Sequence, residues 1–207
     1  KSYSNIFYTS TFWSVVETPD HGFICSGSIF DISFDGHASL FKVDSTGNFV
    51  QTLYSTLQSD TYGSRIIPTI DGNYLWTSMR SDGATNFMND FIKLDNTGTI
   101  LWQKQFCLYR EGGPMAILQN YDGTYMMAGA NGVPNQTGLT QGILMKLDAY
   151  GDSLWSRLFQ LPSQHGWFYD VSLCNDGGYI MCGETYCCNF TPGVGNTNTN
   201  GNVKVTG

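Results

Sequence analysis

An all-β fold, a β-propeller of about four four-stranded antiparallel blades, is what this 207-residue chain predicts. Three observations carry that reading. One phrase is written four times: "PDHGFICSGS" from Pro19, "IDGNYLWTS" from Ile70, "YDGTYMMAG" from Tyr121 and "NDGGYIMCG" from Asn175. Its aspartates Asp20, Asp71, Asp122 and Asp176 recur at steps of 51, 51 and 54 residues. A second phrase accompanies it, as "LFKVDSTGNFVQTLY" from Leu40, "FIKLDNTGTILWQKQF" from Phe91 and "LMKLDAYGDSLWSRLF" from Leu144, with "NVKVTG" as a partial fourth copy. Finally, every period holds four short apolar runs separated by turn residues, none with the i, i+3, i+4, i+7 stripe of a helix. Short, evenly spaced strands repeating about every 40 to 50 residues are the mark of propeller blades.

The repeats fall at approximately 12–54, 64–106, 114–159 and 168–207, in one propeller domain or a segment of a larger propeller. In the second repeat the runs are "SRIIPTI", "NYLWTSM", "DFIKL" and "ILWQKQF". Tyr, Phe, Ile, Val, Leu and Trp dominate them, as half-buried pleated strands prefer. Between the third and fourth runs, Asp44, Asp95 and Asp148 are placed to accept backbone N–H bonds, and Gly47, Gly98 and Gly151 to supply the positive φ of a short hairpin. The repeated aspartates are therefore read as turn chemistry; no D-x-D-x-D-G spacing supports a calcium loop. Trp102 and Trp155, four residues after the turn glycine, are expected to pack between blades. Lys42, Lys93 and Lys146 are expected to reach the rim or pair with a neighbouring carboxylate.

These phrases resemble a family of secreted and surface β-propeller repeats common in Bacteroidota, whose blades read approximately "SDGGYIIAGYT…DAYLIKLDSNGNILWQKTYG". "NDGGYIMCGET" and "MKLDAYGDSLW" carry the likeness most closely. The resemblance implies export, often by the type IX secretion system through a C-terminal sorting domain, and so a secreted or outer-surface location. "KLDNTGTILW" is also similar to the docking motif of pyrroloquinoline-quinone dehydrogenases and to sialidase Asp-boxes, but its Asp-to-Gly and Asp-to-Trp steps fit neither.

Composition narrows the partners. Charged residues are 13% of the chain, about half the usual ~25%. A net charge of −7 argues against nucleic acid and anionic membranes, since phosphate contacts need clustered Lys and Arg. No C-x-x-C pair or histidine cluster suggests a metal site, and neither a metal nor an organic cofactor is expected. Of the six cysteines, Cys25, Cys174 and Cys182 read as small core residues. Cys107, Cys187 and Cys188 are placed in loops, where a disulfide is plausible in an oxidising compartment.

No catalytic residue is assigned: there is no G-x-S-x-G elbow, phosphate loop or H-E-x-x-H. Instead the alternation of strands divides each blade into two ends. Hairpins joining first to second and third to fourth strands repeat; the other connections are long and different each time. Function concentrates in variable loops on a rigid scaffold. The candidate contacts are therefore Asp35, His37, Arg80, Tyr109, Arg110, Glu111, His165 and Trp167. They point to a non-catalytic module binding a carbohydrate or protein ligand, or serving as a structural surface part. The alternative is an accessory propeller of a larger secreted enzyme, such as a polysaccharide-degrading hydrolase. Residues 1–4 align with the tail of an outer strand, so ring closure by the two chain ends is the competing expectation to an open segment with aromatic faces exposed at both ends.

Overall fold

The computed structural model describes residues 9–33, 35–55, 61–81, 86–109, 113–133, 139–159, 164–187 and 198–205. They form fifteen strands and no helix. Sheet 1 is β1 (Thr9–Glu17), β2 (Phe23–Phe30), β3 (Gly36–Val43) and β4 (Phe49–Ser55). Sheet 2 is β5 (Thr61–Pro68), β6 (Tyr74–Ser81), β7 (Asn86–Leu94) and β8 (Ile100–Tyr109). Sheet 3 is β9 (Gly113–Gln119), β10 (Tyr125–Gly132), β11 (Thr140–Leu147) and β12 (Ser153–Phe159). Sheet 4 has three strands, β13 (Gln164–Leu173), β14 (Tyr179–Cys187) and β15 (Asn198–Val205). Within every sheet the strands lie side by side in chain order. The chain divides into two compact units, 1–82 with 88–106 and 83–87 with 107–207. Lys1–Ser4 lie outside the described residues, and so does the closure expected of them.

The first unit is held by sheet 2 packing on sheet 1. Ile24, Ala38 and Leu40 meet Ile66, Tyr74, Trp76, Ile92 and Leu94 in one buried cluster. Trp76 is wholly buried, and its indole N–H donates to Ser26 Oγ at 2.7 Å. Ser26 in turn donates to the Ser64 carbonyl at 3.1 Å. Ser14 Oγ both donates to the Ile66 carbonyl and accepts from the Ile66 amide, each at 3.2 Å. These bonds satisfy the polar atoms that a sheet-on-sheet interface would otherwise strand. In the second unit, Ala116, Met126, Ala128 and Leu144 of sheet 3 cluster with Phe168, Val171, Tyr179 and Met181 of sheet 4, and Trp155 packs at the margin. Tyr179 Oη donates to Asn120 Oδ1 at 3.0 Å.

A glycine constraint recurs in three of the four sheets. The first strand bulges at Trp13 in β1, at Met115 in β9 and at Tyr169 in β13. In each, the carbonyl two residues before the bulge lies against a glycine of the next strand. A Cβ on Gly27, Gly129 or Gly183 would come within 2.0, 2.1 or 1.9 Å of Thr11, Gly113 or Trp167 O. No side chain fits there. Sheet 2 has Ser78 at the equivalent place, and its irregularity spans two residues, Ser64 and Arg65.

The repeated lysines also find one partner throughout the sheets where they are described. Lys42 Nζ lies 2.7 Å from Asp20, Lys93 Nζ 3.0 Å from Asp71 and Lys146 Nζ 3.8 Å from Asp122. An ion pair thus ties the third strand of a sheet to its first hairpin, joining the two repeated phrases. Thr18 and Thr69 donate to the same aspartates. The environments differ: the Lys93 side chain is 4% exposed, whereas those of Lys42 and Lys146 keep 21% and 23%.

The face of sheet 1 turned from sheet 2 and the face of sheet 4 turned from sheet 3 are unlike. On sheet 1, Phe12, Val15 and Phe49 are exposed around buried Phe41, with ring centroids 5.6 Å from Phe12 and 6.3 Å from Phe49. On sheet 4 the face turned from sheet 3 carries Asp170, Cys182 and Glu184, with the exposed ring of Tyr169 beside them. The pleat explains the difference, since Val171 and Met181 spend the apolar alternation of β13 and β14 on the interface with sheet 3.

Gly129→Ala destabilises the chain by about 1–3 kcal/mol, because the obstructing atom is backbone, and Trp76→Ala by about 3–5 kcal/mol; urea titration followed by circular dichroism checks both. Asp71→Asn costs about 2 kcal/mol: it strands a buried ammonium, but the carboxylate is 56% exposed and the loss falls short of a fully buried pair. Asp122→Asn costs less than about 1 kcal/mol, as expected of a long, solvent-facing pair. Hydrogen bonds from Lys42 and then Thr18 hold the Asp20 carboxyl down to about 2. A depressed carboxyl stabilises the fold above its unfolded value and loses that contribution as pH falls through the folded one. The melting temperature therefore drops between about pH 4 and pH 2, a range in which a flat profile would contradict the pairing.

Candidate functional site

The hairpins at one end of the sheets share a single construction. In each, the amide of the fourth turn residue donates to the carbonyl of the first, and the amide of the first to the carbonyl of the fifth. Asp44 Oδ1 accepts from Thr46 N and Asn48 N, Asp95 Oδ1 from Thr97 N and Thr99 N, and Asp148 Oδ1 from Tyr150 N and Asp152 N. The amide of Asn48 and its side chain hold the Asp44 carboxyl well below the usual range. Asp95 is lowered likewise, by Thr97 Oγ1 and the Thr99 amide. Gly47, Gly98 and Gly151 have φ of 79°, 90° and 82°. His21 takes the same left-handed place at φ 61°, with Nδ1 3.1 Å from Glu17. A cleft of about 340 Å³ opens beside it, walled by Pro19, Pro68 and Tyr74. Asp20, Asp44, Asp71, Asp95, Asp122, Asp148 and Asp176 are thus each engaged by their own turn backbone or by a lysine.

At the opposite end of the first unit, Asp31 organises the connection from β2 to β3. Its Oδ1 accepts from the Ser33 amide at 2.8 Å and the Asp35 amide at 3.1 Å, and His37 Nε2 lies 3.7 Å from Oδ2. The amides of Asp35 and Ser33, and then His37, lower the Asp31 carboxyl. Asp35 is half-buried beside it. Arg80 stands opposite Thr61 in the β5–β6 register. Thr61 Oγ1 accepts from the Ala38 amide at 2.9 Å, which brings Arg80 and His37 to the same corner of that unit.

In the second unit the polar cluster lies on β13 and β14. Phe168 is buried against Gly142 and meets Phe159 edge-on with centroids 5.3 Å apart. Alternation then turns Trp167 to the other face, where Glu184 is its cross-strand partner. The bulge adds Tyr169 to that side, and Tyr169 Oη donates to Glu184 Oε1 at 2.5 Å. Asp170, opposite Cys182, is exposed alongside and accepts from the Val171 amide at 2.9 Å. The Trp167 indole N–H is buried without an acceptor. Among the described residues no group of three or more His, Cys, Asp and Glu side chains could hold a metal.

The candidate contacts do not all sit in loops. Among the described ones only Asp35 does so; His37 lies in β3, Arg80 in β6, and His165 and Trp167 in β13. Tyr109 ends β8, and Arg110 and Glu111 lie outside the described residues. The backbone ladders run past the apolar side chains that mark a strand in sequence, because the peptide groups pair whatever the side chains are. Cys107 is corrected for the same reason: it is a free, exposed thiol within β8. Cys187 ends β14, and Cys188 lies outside the described residues. Sequence reasoning missed Tyr169 and Glu184, which had one available signal. They hold positions where the preceding repeat has Met115 and Ala130.

No protein-family model matches the sequence, and no curated protein does. Among solved structures, the chain is similar to a protein of unknown function from Dyadobacter fermentans, at 12% identity and TM-score 0.63, covering 85% of this chain and 62% of that one. It is similar to a thermostable family-43 glycoside hydrolase at 12% identity and TM-score 0.57, covering 92% and 71%. A family-43 enzyme of Xanthomonas citri solved with xylotriose matches at 12% identity and TM-score 0.54, covering 92% and 72%. The chain thus spans less than two thirds of the length of the Dyadobacter protein. At such identities the likeness concerns the fold, and on it the chain is an all-β propeller segment.

Proposed function

We propose that the chain is a non-catalytic binding module of a secreted or cell-surface β-propeller protein, taking a carbohydrate or protein ligand at the end of the sheets opposite the hairpins. One observation carries this reading. Hairpin-end carboxylates are consumed by turns and lysines, while the other end presents groups that differ from sheet to sheet: Asp35 with His37 and Arg80 in one unit, Trp167 with Tyr169 and Glu184 in the other. A scaffold that repeats its fastenings and varies its opposite end is suited to recognition. The repeat phrases, similar to those of exported Bacteroidota propellers, support export through a type IX or comparable route, with the secretion machinery engaging a region other than these repeats.

A second reading rests on the likeness to family-43 glycoside hydrolases: an accessory propeller of a larger polysaccharide-degrading enzyme. The two readings share a ligand-binding role and differ in what the rest of the protein does.

Purified chain applied to a glycan array and to surface-protein extracts is expected to retain a ligand, and to release no reducing sugar from the glycans it retains. Product release that disappears in Asp35→Asn or Glu184→Gln would overturn the non-catalytic reading.

A further inference from the structure

The repeat supplies an internal control for the face of sheet 1 turned from sheet 2. Register and alternation put Phe12, Val15, Phe23, Cys25, Phe41 and Phe49 there. In sheet 2 the positions of Val15, Phe23, Cys25 and Phe41 hold Ile66, Tyr74, Trp76 and Ile92, and sheet 1 covers them. In sheet 4 the positions of Phe12, Val15, Phe23 and Cys25 hold Phe168, Val171, Tyr179 and Met181, and sheet 3 covers them. Burial follows the cover. Val15 is 60% exposed against 2% for Ile66 and 6% for Val171, and Phe12 is 40% exposed against 6% for Phe168. The cover is the same both times: Ile24 and Leu40 in the first unit, Met126 and Leu144 at the same repeat positions in the second. One face of the repeat is thus built to receive the other, head to tail, and in sheet 1 the receiving face is open.

We infer that this face of sheet 1 is the docking surface for a further four-stranded sheet of the same repeat, carried by the same protein outside these 207 residues. The two covered faces define what that sheet must present. It needs aliphatic side chains at the positions of Ile24 and Leu40, to lie over Val15 and Cys25. Over Phe12 it needs glycine: Phe168, the equivalent ring, lies against Gly142, where a Cβ would come within 2.5 Å of the ring. Sheet 4 of a second copy does not meet this description. Asp170, Cys182 and Glu184 stand where sheet 3 has Ala116, Ala128 and Ala130, and the register sets Asn202 beside Cys182 where sheet 3 sets Leu144 beside Ala128. The position of Gly142 is taken by Asn200. A second copy turned face to face is disfavoured by size. Four strands about 4.8 Å apart and about seven residues long offer about 450 Å² a side, or about 900 Å² in all, where stable complexes of separate chains bury about 1,200–2,000 Å². A tethered sheet escapes that limit, because the tether supplies a high local concentration. Sheets 1 and 2 are joined in this way, with only residues 56–60 between their strands.

Comparing the protein isolated from its source with the recombinant 207-residue chain tests this. Hydroxyl-radical footprinting is read at Phe12, Val15 and Phe49, with Tyr121, 93% exposed, as the standard in both samples. Oxidation of the three is expected to fall about fivefold or more in the protein from its source, as exposed apolar side chains become covered. Photo-crosslinking then identifies the cover. With Phe12→p-benzoylphenylalanine in that protein, the captured peptide should come from a further repeat, at or beside its glycine in the Gly142 position. The footprint needs no substitution, so it decides the matter even if the photo-reactive variant fails to fold. In the 207-residue chain alone, Val15→Asp should leave the melting temperature within about 4 °C, while Ile66→Asp, at the covered equivalent, should abolish folding. Equal oxidation in the two samples would overturn the inference. So would capture of sheet 1 or sheet 4 from a second copy, or of a segment that is not a repeat. Protection that appears in the 207-residue chain itself as its concentration rises would give the face to a second copy, and the inference would fall.

Discussion

A peptide carbonyl pressed against a glycine sets the geometry from which much of this molecule follows. In sheets 1, 3 and 4 the first strand bulges by one residue, and the carbonyl ahead of the bulge occupies the space a Cβ would need on Gly27, Gly129 or Gly183. A bulge increases local twist and re-aims the residues after it. It places Ala116 and Val171 correctly for the packed interface of the second unit, and it brings Tyr169 to Glu184. Adding one methyl group to any of these glycines obstructs the backbone itself, which has nowhere to retreat within a paired sheet.

Around that contact the charges are used as fasteners. Each ion pair between a third-strand lysine and a first-hairpin aspartate closes one end of its sheet, and the other hairpin is closed by an aspartate bonded to its own backbone. Their energies are unequal for a physical reason. Lys93 is buried under its neighbours, so its partner matters; Lys146 faces solvent, where screening and side-chain entropy leave little. The same residue pattern therefore does different amounts of work in successive sheets.

The departures from the pattern gather on one face of one sheet. Sheet 4 keeps the fold's requirements on one face, with Val171, Tyr179 and Met181 buried against sheet 3, and abandons them on the other, where Asp170 and Glu184 stand. A repeat protein can vary one face of one unit at little cost to the rest, because each unit contacts chiefly its neighbours.

The repeated phrases by themselves determined the all-β architecture, the order and recurrence of the strands and the turn aspartates and glycines, since these are local properties: period-2 alternation, positive φ, a carboxylate within reach of its own backbone. They also placed Lys42, Lys93 and Lys146 where a neighbouring carboxylate was one of two options. Tertiary structure alone decided which option held, because the pairing joins residues 22 to 24 positions apart across three strands. It alone singled out Trp76 as the buried indole, although Trp102 and Trp155 have the repeated positions, because burial depends on which sheet covers which. The candidate site divides in the same way. Trp167 was legible as an aromatic residue in a variable stretch, whereas Tyr169, Asp170 and Glu184 become its companions only through a bulge and a cross-strand register that no local spacing encodes.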